Sequence, residues 1–280
     1  MKGFTERAML VKFSVSQWTA RKTDKKAEEY VREQFGSAAA MGWWNKCLVA
    51  QEPIKRISKV VNEARTYHYQ NTLPWTDEGF RVLTVLNFDK YSEKMREYRS
   101  QIETQVEIFC KDFPNLVEEA RVKLGKLFNP LDYPLNVRNK FKFSVDIRPI
   151  PDASDFRVML ADEHVNKIKN EIGSRMFDAA EEAHKDLYKR LAMTVGHMAE
   201  KLKDSEGIFR DSLVENLREL CELIPLLNIA EDEELEKIRR KAEEKLCQVE
   251  PWELRENQIT RKQVATDASK ILKEMEGLYA

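Results

Sequence analysis

The chain has 280 residues, 42% hydrophobic and 34% charged, with only 9 Gly and 9 Pro. That composition supplies a real core, excludes a disordered chain, and points its charge excess to long solvated helices. The net charge of −1 is uneven: 13 Lys/Arg against 7 Asp/Glu over residues 1–75, 14 against 14 over 76–160, and 20 against 27 over 161–280. A basic front suits an anionic partner and an acidic back a basic one.

The first element is a strand over 8–18, where Leu10, Lys12 and Ser14 alternate with Val11, Phe13 and Val15. A short helix follows over 24–35, ending at Gly36. Residues 37–50, with Trp43 and Trp44, read as a packed helical turn. Ile54, Ile57, Val60, Val61 and Ala64 recur at helical spacing and predict a helix over 52–70. Asn71 to Trp75 is a turn, and 79–86 is β-rich.

Phe88, Tyr91, Met95, Tyr98 and Ile102, then Val106, Phe109, Phe113, Leu116 and Ala120, set out a long helix with heptad spacing and a stutter. Pro114 lacks an amide hydrogen, so a kink or restart is expected at Asp112–Phe113. A second alternation predicts a hairpin: Phe141, Phe143, Val145 and Ile147 against Lys142, Ser144, Asp146 and Arg148, returning over 155–160.

From Asp162 onward the pattern is helical. Eleven apolar residues from Val165 to Leu202 form one stripe over some forty residues, about 60 Å long, which suggests a coiled-coil hairpin or an oligomer seam. A further helix over 208–224 ends at Pro225. Another spans 231–249. Thr260 with Gln263 resembles a capping box that opens the last helix. The expected fold class is α+β, predominantly α: a small antiparallel sheet packed on helices, with a core domain over 1–160 and a helical arm or bundle over 161–280.

Catalytic chemistry has no local signature here. Phosphate-cradling G-x-x-x-x-G-K-[ST] and G-x-G-x-x-G are absent, as is G-x-S-x-G. Glu181 with His184 and His197 with Glu200 have metal-ligand spacing, but the pairs stand roughly 20 Å apart on one helix and read as solvated faces. Cys47, Cys110, Cys221 and Cys247 form no Cys-x-x-Cys pair. With no apolar signal core in MKGFTERAML, they read as four reduced thiols of a cytoplasmic chain. No run nears the ~20 apolar residues of a membrane span, so no membrane partner is expected. No catalytic residue, cofactor or metal is assigned, and the chain is expected not to be an enzyme. Nucleic acid remains a candidate partner, through Arg21, Lys22, Lys25 and Lys26 after the first strand and Lys140, Lys142 and Arg148 beside the hairpin.

Five segments carry a resemblance: LVKFSVSQWTARK near the start, LPW at Leu73–Trp75, LGKLFNPLDYP at Leu124–Pro134, then KFKFSVDIRPIP and DFRVML. Together they resemble a family of uncharacterised phage and prophage proteins, over roughly residues 8–160. The motif residues Trp18, Pro74, Trp75, Gly125, Phe128, Tyr133, Pro134 and Phe141 have a structural reading: Gly125 ends the long helix, and Trp75, Phe128, Tyr133 and Phe141 pack where that helix meets the sheet. The resemblance implies a bacterial host, and a protein partner such as a MoxR-type AAA+ ATPase or a von Willebrand A cobaltochelatase-like protein. The leading expectation is a non-enzymatic phage or prophage protein that self-associates, as a homo-oligomer, and binds a partner in an adaptor or assembly role. Two alternatives stand beside it: a single-strand nucleic-acid binding or annealing protein, and a phage inhibitor of a host defence protein.

Overall fold

A computed structural model describes residues 2–36, 43–75, 79–151, 162–204 and 207–278. In chain order the elements are α1 (Lys2–Arg7), β1 (Ala8–Ser16), β2 (Arg21–Thr23), α2 (Lys25–Phe35), β3 (Asn45–Cys47), α3 (Gln51–Gln70), β4 (Arg81–Thr84), α4 (Phe88–Leu124), β5 (Lys142–Pro149), α5 (Asp162–Lys203), α6 (Ser212–Leu227), α7 (Glu233–Leu246), α8 (Pro251–Glu256) and α9 (Gln258–Glu274). The class is α+β and predominantly α, with 71% of the described residues helical. A three-stranded sheet has the order β4-β1-β5, and β2 and β3 form a second, two-stranded sheet.

The chain forms two compact units, each discontinuous in sequence. The first comprises Met1–Lys12, Tyr69–Tyr91 and Ile147–Ala280; the second comprises Phe13–His68 and Ser92–Asp146. The boundary expected at residue 160, the return strand over 155–160 and the DFRVML segment lie outside the described residues.

In the first unit, β1 pairs antiparallel with β4 from Ala8 opposite Thr84 to Val11 opposite Arg81. Its core is mostly helical. On α5, Leu187, Leu191, Val195, Met198 and Leu202 recur at intervals of three and four, and all are buried. They pack against α6 and α9 of the same chain. The long stripe therefore serves an intramolecular bundle from Met176 onward, while Val165, Ile168, Ile172 and Ala180 are half-buried.

Two details differ from expectation here. Helix α6 does not end at Pro225 but runs through it to Leu227. A proline at this position deprives the carbonyl four residues earlier of its helical donor. That carbonyl belongs to Cys221, and it accepts from Arg239 Nη1 at 3.3 Å instead. The last helix starts at Gln258 and not at Thr260. Its cap is Asn257, whose Oδ1 accepts from the amides of Ile259 at 3.0 Å and Thr260 at 3.1 Å. Asn257→Ala should lower stability by about 1 kcal/mol, read from the urea midpoint, with Asn257→Asp close to wild type.

The second unit is built on α3 and α4. Ile54, Ile57 and Val61 of α3 share a core with Ile102, Val106, Phe109 and Leu116 of α4, closed by Ala20, Val49 and Val137. Helix α4 is continuous through Pro114, where a kink or restart was expected. Buried residues on both sides of that proline, Phe109 and Leu116, hold the helix in place. Residues 45–47 are not helical: they form β3, which pairs with β2 from Arg21 opposite Cys47 to Thr23 opposite Asn45.

Candidate binding surfaces

The seven basic residues singled out for anionic partners do not share one unit. Arg21, Lys22, Lys25, Lys26, Lys140 and Lys142 belong to the second unit, and Arg148 to the first. The Arg148 guanidinium sits 4.9 Å from the centre of the Phe80 ring. Lys22 is committed to Asp132 at 2.6 Å.

That ion pair is the edge of a buried cluster. Lys46 Nζ lies 2.7 Å from Asp24 Oδ2, 2.8 Å from Asp132 Oδ2 and 2.7 Å from the Leu127 carbonyl. An ammonium has three hydrogens and here meets three acceptors. Asp24 uses its other oxygen to cap α2, accepting from the amides of Lys26 and Ala27. The hydrogen bond from Lys46 holds the Asp24 carboxyl below the usual range. Burial acts to raise Asp132, but Lys22 and Lys46 outweigh it and lower it too. Burial likewise opposes the charge on Lys46, and the two carboxylates overcome it. Lys46 and Asp132 carried no sequence signal.

Most motif residues gather near this cluster. Gly125 takes φ +52° and ends α4. Tyr133 donates to the Leu48 carbonyl at 2.7 Å, and its ring lies 5.4 Å from that of Phe128. Trp18 packs edge-on to Phe113 at 5.6 Å, and Phe141 edge-on to Phe109 at 5.6 Å. Pro134 is half-buried in the same stretch. Pro74 and Trp75 belong instead to the first unit, where Trp75 packs against that unit's core. Trp75 therefore does not join Phe128, Tyr133 and Phe141 as expected.

Three surfaces could meet a ligand. The first is a cleft of about 430 Å³ in the second unit, lined by Arg99, Arg138, Lys142, Phe141 and Phe143. Arg99 pairs with Glu103 at 2.9 Å, and Arg138 stands 3.8 Å from Glu107.

The second is a groove of about 1060 Å³ in the first unit, between the Val85–Leu86 turn, the end of α6 and α7. Val85 and Leu86 line it and are exposed. Its four basic residues, Arg7, Lys237, Arg240 and Lys241, are each paired with a glutamate. Among the described residues its Glu6, Glu233 and Glu244 carry no ion pair, which leaves the rim anionic. At its edge Asp232 caps α7, accepts from Tyr188 at 2.6 Å and lies 3.2 Å from His184 Nε2. Glu181 pairs with Lys185 at 3.1 Å, so the Glu181 and His184 spacing assembles two separate surface contacts.

The third surface is α2. None of its residues is buried. Tyr30, Val31 and Phe35 lie on one face at 64%, 43% and 81% exposure. Trp44, also exposed, is fastened beside it through Asp24, whose amide donates to the Trp44 carbonyl at 3.0 Å. Sequence periodicity could locate this helix, but not that its apolar side would stay outside.

Among the described residues no three His, Cys, Asp or Glu converge on a metal-sized site, and no helix is long and apolar enough to cross a membrane. No family model, curated protein or solved structure matches the chain.

Proposed function

We propose that this chain is a non-enzymatic binding module that self-associates through α2 and docks a protein partner in the first unit's groove. The observation that carries the reading is the apolar face of α2. An isolated helix of 11 residues is marginal in water, and its caps, Asp24 and Gly36, are its main internal support. Exposed aromatic clusters of this kind are the usual anchors of interfaces.

The occupant that fits is a second copy in antiparallel register. Residues Lys26 and Glu33 flank one side of the face, and Glu28 and Arg32 the other. A twofold axis at Tyr30 sets Lys26 against Glu33 of the second copy and Glu28 against Arg32 of the second copy. An isologous interface needs such self-complementarity. The anionic groove, lined also by the exposed Val85 and Leu86, suits a cationic amphipathic segment of a different protein.

Light scattering on eluted fractions tests this. A dimer at micromolar concentration is expected. Tyr30→Glu with Phe35→Glu should give a monomer. Lys26→Glu alone should weaken the dimer, and Lys26→Glu with Glu33→Lys should restore it. A wild-type chain that elutes strictly as a monomer rules the interface out.

A second reading, nucleic-acid binding, is favoured by the cleft, where Arg99, Arg138 and Lys142 surround Phe141 and Phe143. Adding a single-stranded oligonucleotide to the same runs separates the two. A complex that weakens steeply with salt belongs to the cleft; an unchanged profile leaves protein binding as the function.

A further inference from the structure

We propose that the second unit's cleft is a binding site for a single-chain anionic amphiphile of the fatty-acid class. Its volume of about 430 Å³ falls within the range of small-molecule sites. The lining grades from core to solvent. Ile57 and Val61 of α3 and Ile102 and Val106 of α4 line it and also belong to the core of the unit. Each pair is spaced four residues apart, on one face of its helix, and none of the four is more than 5% exposed. Half-buried Phe141 and Phe143 add aromatic surface. An alkyl chain laid against these six side chains leaves water along its length, and each methylene so buried adds affinity.

The charge lies on the solvent side. Arg99 and Arg138 have side chains 61% and 53% exposed. Lys142, also exposed, carries no ion pair among the described residues. Glu103 is the one carboxylate in the lining, so three cations leave it a net charge of +2. Glu103 holds Arg99 at 2.9 Å, whereas Glu107 stands 3.8 Å from Arg138. Lys142 and Arg138 are therefore the groups with charge to offer an anionic head.

The same lining argues against a nucleic-acid strand. Stacked bases need a succession of open ring faces. Here Phe141 is engaged edge-on with Phe109 at 5.6 Å, and Phe143 packs on Phe13 at 4.9 Å. Aliphatic side chains of the core make up the rest of the apolar surface, and they match hydrocarbon. No residue of α2 lines the cleft, so the inference goes beyond the α2 interface and does not depend on it.

Calorimetric titration of the full chain with dodecanoate, kept below its micelle concentration, tests it. Saturable one-to-one binding is expected. Octanoate should bind more than tenfold more weakly, because four methylenes are missing; dodecanol and dodecyltrimethylammonium should lose at least tenfold because the head is neutral or cationic. Amide exchange should show new protection at residues 57–61, 102–106 and 141–144 and none in the first unit. Arg138→Glu with Lys142→Glu should reverse the preference, so that dodecyltrimethylammonium binds and dodecanoate does not. That gain of binding also shows that the variant is folded. Tyr30→Glu with Phe35→Glu should bind dodecanoate as the unsubstituted chain does, which separates this site from the α2 interface. The proposal is overturned if dodecanoate shows no saturable binding, if dodecanol binds as tightly, or if the protection appears elsewhere. Displacement of dodecanoate by a single-stranded oligonucleotide would also overturn it and give the cleft to nucleic acid.

Discussion

Lys46→Met is expected to destabilise the protein by about 3–5 kcal/mol, the usual cost of removing one partner from a buried ion pair. The substitution keeps most of the side-chain volume and removes only the charge. It leaves Asp24 without its ion-pair partner and Asp132 with Lys22 alone, their side chains 10% and 3% exposed, too enclosed for water or salt to screen. The Leu127 carbonyl loses its donor as well. A urea series measures the loss. A midpoint within experimental error of wild type would show that the cluster carries no net stability. Adding Asp24→Asn and Asp132→Asn to Lys46→Met should recover a large part. Both changes remove buried carboxylate charge that has lost the Lys46 ammonium, and asparagine still caps α2.

The same cluster sets a pH window. Asp24 and Asp132 have carboxyl groups lowered in the folded state. Their stabilisation is therefore complete above the unfolded carboxylate value of about 4 and is lost as pH falls through the lower folded values. Lys46 is raised, so its stabilisation is complete below the unfolded lysine value of about 10 and is lost as pH rises past the folded one. The gap between wild type and Lys46→Met should be widest between these limits and should narrow in acid.

The cluster also shows why part of the fold was legible and part was not. Strand β1 announces itself by alternation, and α2 by Asp24 at one end and Gly36 at the other. The α5 stripe is readable because its register is local. Strands β2 and β3 are three residues each, RKT and NKC, with no apolar alternation to read. Their register even sets Lys22 directly opposite Lys46, a like-charge pair that local rules count as unfavourable. Asp132 resolves it by meeting both ammonium groups, at 2.6 and 2.8 Å, from a turn more than 80 residues away in sequence. Pro225 teaches the same lesson. Its missing amide argues for a helix end, and the helix continues because Arg239, from another helix, serves the abandoned carbonyl of Cys221. The motif residues had a visible pattern, but assigning Trp75 and Phe128 to different units required the chain path.

Arg261→Met should cost about 3–5 kcal/mol, since each hydrogen bond to a charged group contributes about 1.5–3 kcal/mol and several are lost together. Arg261 is 3% exposed. Its Nη2 donates to the carbonyls of Asp204 and Gly207 at 2.6 Å and of Lys201 at 3.2 Å, and Nε to that of Leu202 at 3.4 Å. These are the carbonyls at and just beyond the end of α5, where a helix runs out of its own donors and its dipole favours a cation. The guanidinium also lies 5.2 Å from the centre of the Phe209 ring. One side chain of α9 thus closes the end of α5, the two helices that share the largest contact in the first unit. Arg261→Lys keeps the charge but not the planar fork, so it should recover less than half of the loss. Amide exchange locates the effect: protection should fall first over the last turn of α5 and at Phe209, while α3 and α4 keep theirs. A loss below about 1 kcal/mol, within the range of an ordinary surface change, would mean that water replaces the guanidinium at these carbonyls without penalty.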